Sequence, residues 1–289
     1  MTLKKLSDKH RTAVYQATIP FKEIEEKFEI TLQKIAQETE IEGFRKGKAP
    51  IDIVRKTTSK EKVYDELIQG MIPGIYNDAV KMDNLRPFIS PKIELKSAKE
   101  NEDWIIELSI ALEPSVDIPD YKKIVEDVRA NSKKDDIWVP GKDATEDADA
   151  KVVEKKEKFL NDVLKKLMDD TKIEMSQMLI DEEVKIRLSR LVDDVRKIGL
   201  TIEAYLKSRD TSQEKLQEEL VQDIMNTYKL EYALNQIGDK ENITVAKSDV
   251  DALLEGIKDP QERAKAEQNA YVYTMMLRKQ KIIDFLSGL

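Results

Sequence analysis

The sequence predicts an α+β unit at its N-terminal end, helices laid on a small antiparallel sheet, followed by an all-α body. Three observations carry that prediction. Residues 1–114 read strand, helices, strand, strand, an order that folds as helices packed across one face of a sheet. From 151 to 289 apolar side chains recur three and four apart with hardly a break, as packed helical hairpins require. Composition agrees: 37% of residues are charged, 6% are aromatic, and Gly and Pro number only 9 each, which suits a helix-rich chain.

In order, residues 11–19 alternate Ala13, Tyr15 and Ala17 with Val14, Gln16 and Thr18, the period of a strand. Pro20 opens a helix in which Phe21, Ile24, Phe28, Leu32 and Ile35 form one apolar face. The run Gly43-Phe44-Arg45-Lys46-Gly47-Lys48-Ala49-Pro50 then interrupts it. Its glycines break the helical pattern, and Pro50 can open the next helix because its missing N–H would be unpaired there anyway. Ile51, Ile53 and Val54 begin that second helix. A third covers 62–82, with Val63, Leu67, Met71, Ile75 and Ala79 four apart and a kink expected at Pro73-Gly74. Strands at 88–95, where Pro91 implies an edge or bulge, and at 104–112 complete the unit.

Residues 115–150 read as a linker. The stretch 131–150 has six acids, three lysines and almost no apolar pattern, with Trp138 as a ring that pins it to a neighbouring domain. The third region, 151–289, is helical. Phe159, Leu160, Val163, Leu164, Leu167 and Met168 stripe its first helix, and Val184, Leu188, Leu191, Val195 and Ile198 its second, which Gly199 ends. Thr211-Ser212-Gln213-Glu214 reads as a capping box for a long helix stopped at Gly238. Ser248 and Asp259-Pro260 start the last two.

The chemistry available is narrow. The chain has no Cys and a single histidine, His10, expected on a frayed terminus, so the usual zinc sites and Cys–His or Ser–His nucleophiles cannot be assembled. No cofactor or metal is expected. Acidic pairs such as Asp169-Asp170, Glu182-Glu183 and Asp193-Asp194 read as solvated helix faces. The absence of Cys, of a secretory pattern at the first residues and of any long apolar run points to a reducing, cytoplasmic setting and no membrane.

The interrupting loop stands out. Residues 41–62 hold seven basic side chains (Arg45, Lys46, Lys48, Arg55, Lys56, Lys60, Lys62) against three acidic ones, in a chain of net charge −8. A ring beside Arg and Lys suits RNA phosphates and unstacked bases, or an acidic protein edge. It is not a nucleotide loop, since the Gly43-to-Gly47-Lys48 spacing is one residue short and Ala49 stands where a magnesium-holding Ser or Thr is needed. Residue for residue, Gly43, Phe44, Arg45, Lys46, Gly47, Lys48, Ala49 and Pro50 resemble the ribosome-docking signature of the bacterial trigger factor family. Weaker echoes of that family are Gly199-Leu200, Ile202-Glu203, Tyr205-Leu206 and the closing Ile282-Ile283-Asp284-Phe285-Leu286.

The resemblance implies a ribosome-binding domain at 1–114, a C-terminal chaperone body with helical arms at 151–289, and docking on the large ribosomal subunit beside the nascent-chain tunnel exit. Its partners would be protein and rRNA there, together with nascent and unfolded polypeptides, with self-association off the ribosome left open. The family's FKBP-like prolyl isomerase domain has no counterpart, because 115–150 is too short and polar to form that core. An ATP-independent holdase needs adaptable apolar contacts. Met175, Met178, Met225, Met275 and Met276, with Ile202, Tyr205 and Leu206, are the candidates for them. The alternatives are a ribosome-independent holdase and a divergent isomerase.

Overall fold

The computed structural model describes residues 1–41, 44–135, 148–257 and 259–289. Two compact units divide the chain, one of residues 1–114 with 174–182, the other of 115–173 with 183–289.

The first unit is built on four antiparallel strands in the order β1-β2-β4-β3: β1 (Thr2–Lys9), β2 (Thr12–Ile19), β3 (Lys92–Ser97) and β4 (Trp104–Ala111). Alternation does what the sequence requires. Ala13, Tyr15, Ala17 and Ile19 face Ile110, Leu108, Ile106 and Trp104 across the β2–β4 ladder, and all eight are buried on one side. Over that side lie α1 (Phe21–Glu38) and α3 (Lys60–Met82), with α2 (Ile51–Thr57) between them in sequence. Ile24 of α1 and Leu67, Met71, Ile75 and Ala79 of α3 join the sheet residues in one core. Truncating a core side chain such as Leu67 to Ala should cost about 2–5 kcal/mol.

Three features depart from the sequence reading. β1 was not expected, because the half-buried slots of this edge strand hold Leu3, Lys5 and Ser7 instead of an apolar row. Lys5 is accommodated by Asp8 at 2.6 Å and Asp83 at 2.9 Å, which hold its ammonium pKa well above the usual value. His10 therefore sits not on a frayed end but with Arg11 at the tip of a two-residue hairpin, both at positive φ (48° and 54°), as a type I′ turn demands. The third strand begins after Pro91, which lacks the N–H a ladder needs, and it lies at the sheet edge.

The second unit opens with β5 (Ser115–Asp117), paired with β6 (Lys172–Glu174). Its helices are α4 (Tyr121–Asp135), α5 (Ala148–Asp170), α6 (Gln177–Lys197), α7 (Ile202–Ser208), α8 (Gln213–Lys240), α9 (Lys247–Glu255), α10 (Pro260–Gln268) and α11 (Ala270–Gly288). The opening residues of α6 fall in the first unit, where Ser176, just before the helix, is fully buried and its hydroxyl lies 2.8 Å from that of Thr12. The stretch expected as a linker is corrected here. Tyr121, Ile124 and Val125 of α4 are buried with Val163 and Leu167 of α5, Leu234 and Ile237 of α8, and Ile282 and Leu286 of α11. Trp138 and residues 136–147 lie outside the described residues.

Gly238 does not end α8. It is buried inside the helix, where an added Cβ would come within 2.6 Å of Ile282 Cδ1, so its role is close approach of α8 and α11. The stop falls on Asn242 at φ 53°, where Ile243 N–H donates to Gly238 O (2.8 Å) and Asn242 N–H to Asp239 O (3.2 Å), a Schellman closure with Asn in the usual Gly place. The cap of α8 likewise moves one residue on, to Ser212, whose hydroxyl accepts from Lys215 N–H.

Candidate functional site

The loop joining α1 to α2 is held from below. Leu32 and Ile35 of α1, Val54 of α2 and Val63 of α3 form a small core of their own, and Ile41 and Ala49, which flank the loop, pack against it. The described residues that flank the loop, Ile41 and Ala49, are thus fastened by apolar contacts. Phe44 N–H donates to Ile41 O at 2.9 Å, and Lys48 N–H donates to Arg45 O at 2.9 Å. Of the two residues inside that second bond, only Gly47 has positive φ (72°), which makes it a type II turn. A Cβ at Gly47 would sit 3.0 Å from the backbone oxygen of Gln37, so both dihedral and space call for glycine there. Pro50 caps α2 at φ −57°, as its ring dictates.

On this support Phe44 is 36% exposed, and Arg45, Lys46 and Lys48 are exposed. Gly43 lies outside the described residues. The flanking charges divide in two. Arg55 is committed to Glu29 through paired bonds, Nη1 to Oε1 at 2.8 Å and Nη2 to Oε2 at 2.5 Å, and this hydrogen bonding holds the Glu29 carboxyl below the usual carboxylate range. Lys60 is committed to Glu100 at 2.8 Å. Arg45, Lys46, Lys48, Lys56 and Lys62 have no carboxylate partner among the described residues. The cationic surface is therefore smaller than the seven basic residues of the sequence suggest, and centred on the turn. A ring with unpaired Arg and Lys around it can complement an anionic surface through stacking and charge together.

The apolar candidates fare differently one by one. Met175 is buried, at 6% exposure, and so cannot meet a partner in this structure. Met178, Ile202, Tyr205, Leu206, Met225 and Met275 are half-buried, while Met276 is 61% exposed. Sequence reasoning missed other exposed apolar side chains of the second unit. Ile198 (69%) and Leu200 flank Gly199, where Leu200 N–H donates to Val195 O and Gly199 N–H to Arg196 O in a Schellman turn. Tyr271 (76%) and Val272 lie in the first turn of α11, Val272 four residues before Met276. The available signal was position, beside a helix-ending glycine or at a helix start; Ile198, expected in the packing stripe, is exposed at the end of α6. Among the described residues no group of three or more His, Cys, Asp or Glu could hold a metal ion, and no helix is long and apolar enough to cross a membrane.

One unit is α+β with a cationic, ring-bearing turn, and the other is helical with scattered exposed apolar side chains. The family model described as bacterial trigger factor protein matches residues 1–138, and the one for its C-terminus matches 146–286. The chain belongs to the bacterial trigger factor family. It is 35% identical over 102 residues to the trigger factor of Dehalococcoides mccartyi, covering 35% of this chain and 22% of that one. To that of Streptomyces avermitilis it is 28% identical over 141 residues, covering 49% and 28%. The shared stretch thus spans about a quarter of the length of these relatives, between 22% and 28%. A solved trigger factor chaperone, described for promiscuous substrate recognition in folding and assembly, superposes with a TM-score of 0.68 at 15% identity, over 100% of this chain and 99% of the other, which establishes the shared fold.

Proposed function

We propose that this chain is a ribosome-associated, ATP-independent chaperone. The loop fastens it to the large ribosomal subunit beside the tunnel exit, and its exposed apolar side chains shelter emerging polypeptides. The single observation that carries the reading is the state of the tip: Phe44 and three cations are exposed on a turn whose Gly47 takes a positive φ. Anchoring raises the effective concentration of weak apolar contacts near the emerging chain, so no single contact need be strong. Segments that would aggregate before their partners are made are thereby covered.

The chain acts without prolyl isomerisation in this reading. Support comes from the two family matches, which leave only residues 139–145 between them, too few for a catalytic domain. The cytoplasm is its place of work. Ribosome co-sedimentation of wild type and a Phe44/Arg45/Lys46 triple-Ala variant tests docking, with loss of the variant from the pellet expected. Equal pelleting would instead favour a holdase that works away from the ribosome. Turnover of a short proline peptide would contradict the non-enzymatic part.

A further inference from the structure

Away from the loop, α4 and α5 leave between them an open groove of about 780 Å³ in the second unit. Its wall along α5 carries a stripe of alternating charge: Lys155 and Lys158, then Asp162, then Lys165 and Lys166, then Asp169. These positions recur every three or four residues and so share one helix face. Lys166 is engaged by Asp170 at 3.0 Å. Lys156, Lys158 and Lys165 are exposed and have no carboxylate partner among the described residues. At the groove's other side the Arg129 guanidinium lies 5.4 Å from the centre of the Phe159 ring and donates to Leu289 O at 2.7 Å, so that ring face is already covered.

We propose that this groove binds an acidic, extended polypeptide segment, with carboxylates paired to Lys158 and Lys165. Spacing sets the motif. Lys158 and Lys165 are seven residues apart on a helix, about 10.5 Å, close to the roughly 9.3 Å that a peptide in the extended polyproline II conformation advances in three residues, after which its side chain returns to the same face. The segment therefore carries an acidic residue at every third position, with neutral side chains opposite Asp162. A nucleic acid strand fits less well. It places a phosphate at every nucleotide, so one would fall against Asp162 or Asp169, and Phe159 cannot stack a base on the ring face that Arg129 covers. This site is separate from the loop and does not depend on the docking proposal.

The probe is a short fluorescein-labelled peptide with Glu at every third position and Ala between, titrated with the full chain and read by fluorescence anisotropy. Wild type should bind it, and Lys156→Gln/Lys158→Gln/Lys165→Gln, which removes both pairs and the neighbouring Lys156 charge, should weaken binding by about tenfold, as two exposed ion pairs permit. Asp162→Lys should tighten it, so the proposal does not rest on a loss that misfolding could mimic. Raising ionic strength should weaken wild-type binding. Absence of binding at low salt, equal affinity in the triple variant, equal binding of the same peptide made with Lys, or tighter binding of a single-stranded RNA would each overturn the proposal. Ribosome co-sedimentation of the triple variant should match wild type, which keeps the two proposals apart.

Discussion

Gly47→Ala should weaken ribosome binding without unfolding the protein. The turn needs φ near +72° at this position, a region that costs a residue with a Cβ roughly 1–2 kcal/mol. The added methyl would also meet Gln37 O at 3.0 Å, a backbone atom of α1 that cannot swing away as a side chain end can. Both effects act in the same direction, so the native turn loses at least about 1–2 kcal/mol, a factor of roughly 5–30 in its population. A free loop relieves this by leaving the turn, and melting temperature should move little. A docked loop cannot, and the strain appears as a 5–30-fold loss of affinity, by order of magnitude. Gly70→Ala is the control: it lies in α3 with nothing within 4 Å of an added Cβ, and should stabilise by about 0.5–1 kcal/mol while leaving docking alone. Co-sedimentation titrations and thermal melts of both variants decide the matter. Affinity of Gly47→Ala within about twofold of wild type would refute the idea that turn shape carries docking.

Other predictions follow from the packing and the surface. Gly238→Ala and Ile282→Val should be strongly coupled, because the second change removes the methyl that the first would strike; a denaturant double-mutant cycle should give about 1–2 kcal/mol of rescue, and additive effects would count against that close approach. Burial foremost, and then hydrogen bonds to Asp83 and Glu241, push the hydroxyls of Tyr15 and Tyr121 up to about 12. Each favours its protonated form when folded, so its contribution is full below the unfolded value of about 10 and is lost as pH rises through about 12; the fall in stability across that window should flatten in Tyr15→Phe and Tyr121→Phe, and an unchanged slope would refute the assignment. Tyr271→Ser with Met276→Ser should lower suppression of aggregation of an unfolded client while melting temperature stays within a few degrees, since both side chains are mostly in solvent; undiminished suppression would remove this patch from the client surface.

What the sequence made legible was periodicity. Ala13, Tyr15 and Ala17 in period two, and Val63 through Ala79 in steps of four, named core faces that the structure buries. β1 escaped because Lys5 occupies an inward slot and is stabilised by Asp83, a partner far away in sequence. α4 escaped for a different reason: Tyr121, Ile124, Val125 and Val128 carry a helical spacing, but the acidic stretch beyond them dominated the reading of the whole segment. Gly238 shows the ambiguity of a lone glycine, which can end a helix or admit a neighbour; only the position of Ile282 decides. At the loop, residue identity was legible and charge state was not. The Arg55–Glu29 pair links residues 26 apart, a tertiary fact that subtracts one cation from the surface the sequence counts. Met175 taught the same lesson on the apolar side, since a residue type suited to adaptable contacts is equally suited to filling a core.

The most direct measurement is a crosslink map from a photoreactive residue placed at Phe44 in the full chain, incubated with translating ribosomes. The account predicts crosslinks confined to large-subunit protein and rRNA around the mouth of the tunnel, lost when Arg45 and Lys46 are both changed to Ala. Crosslinks scattered over the ribosome, or a pattern indifferent to those two cations, would contradict it.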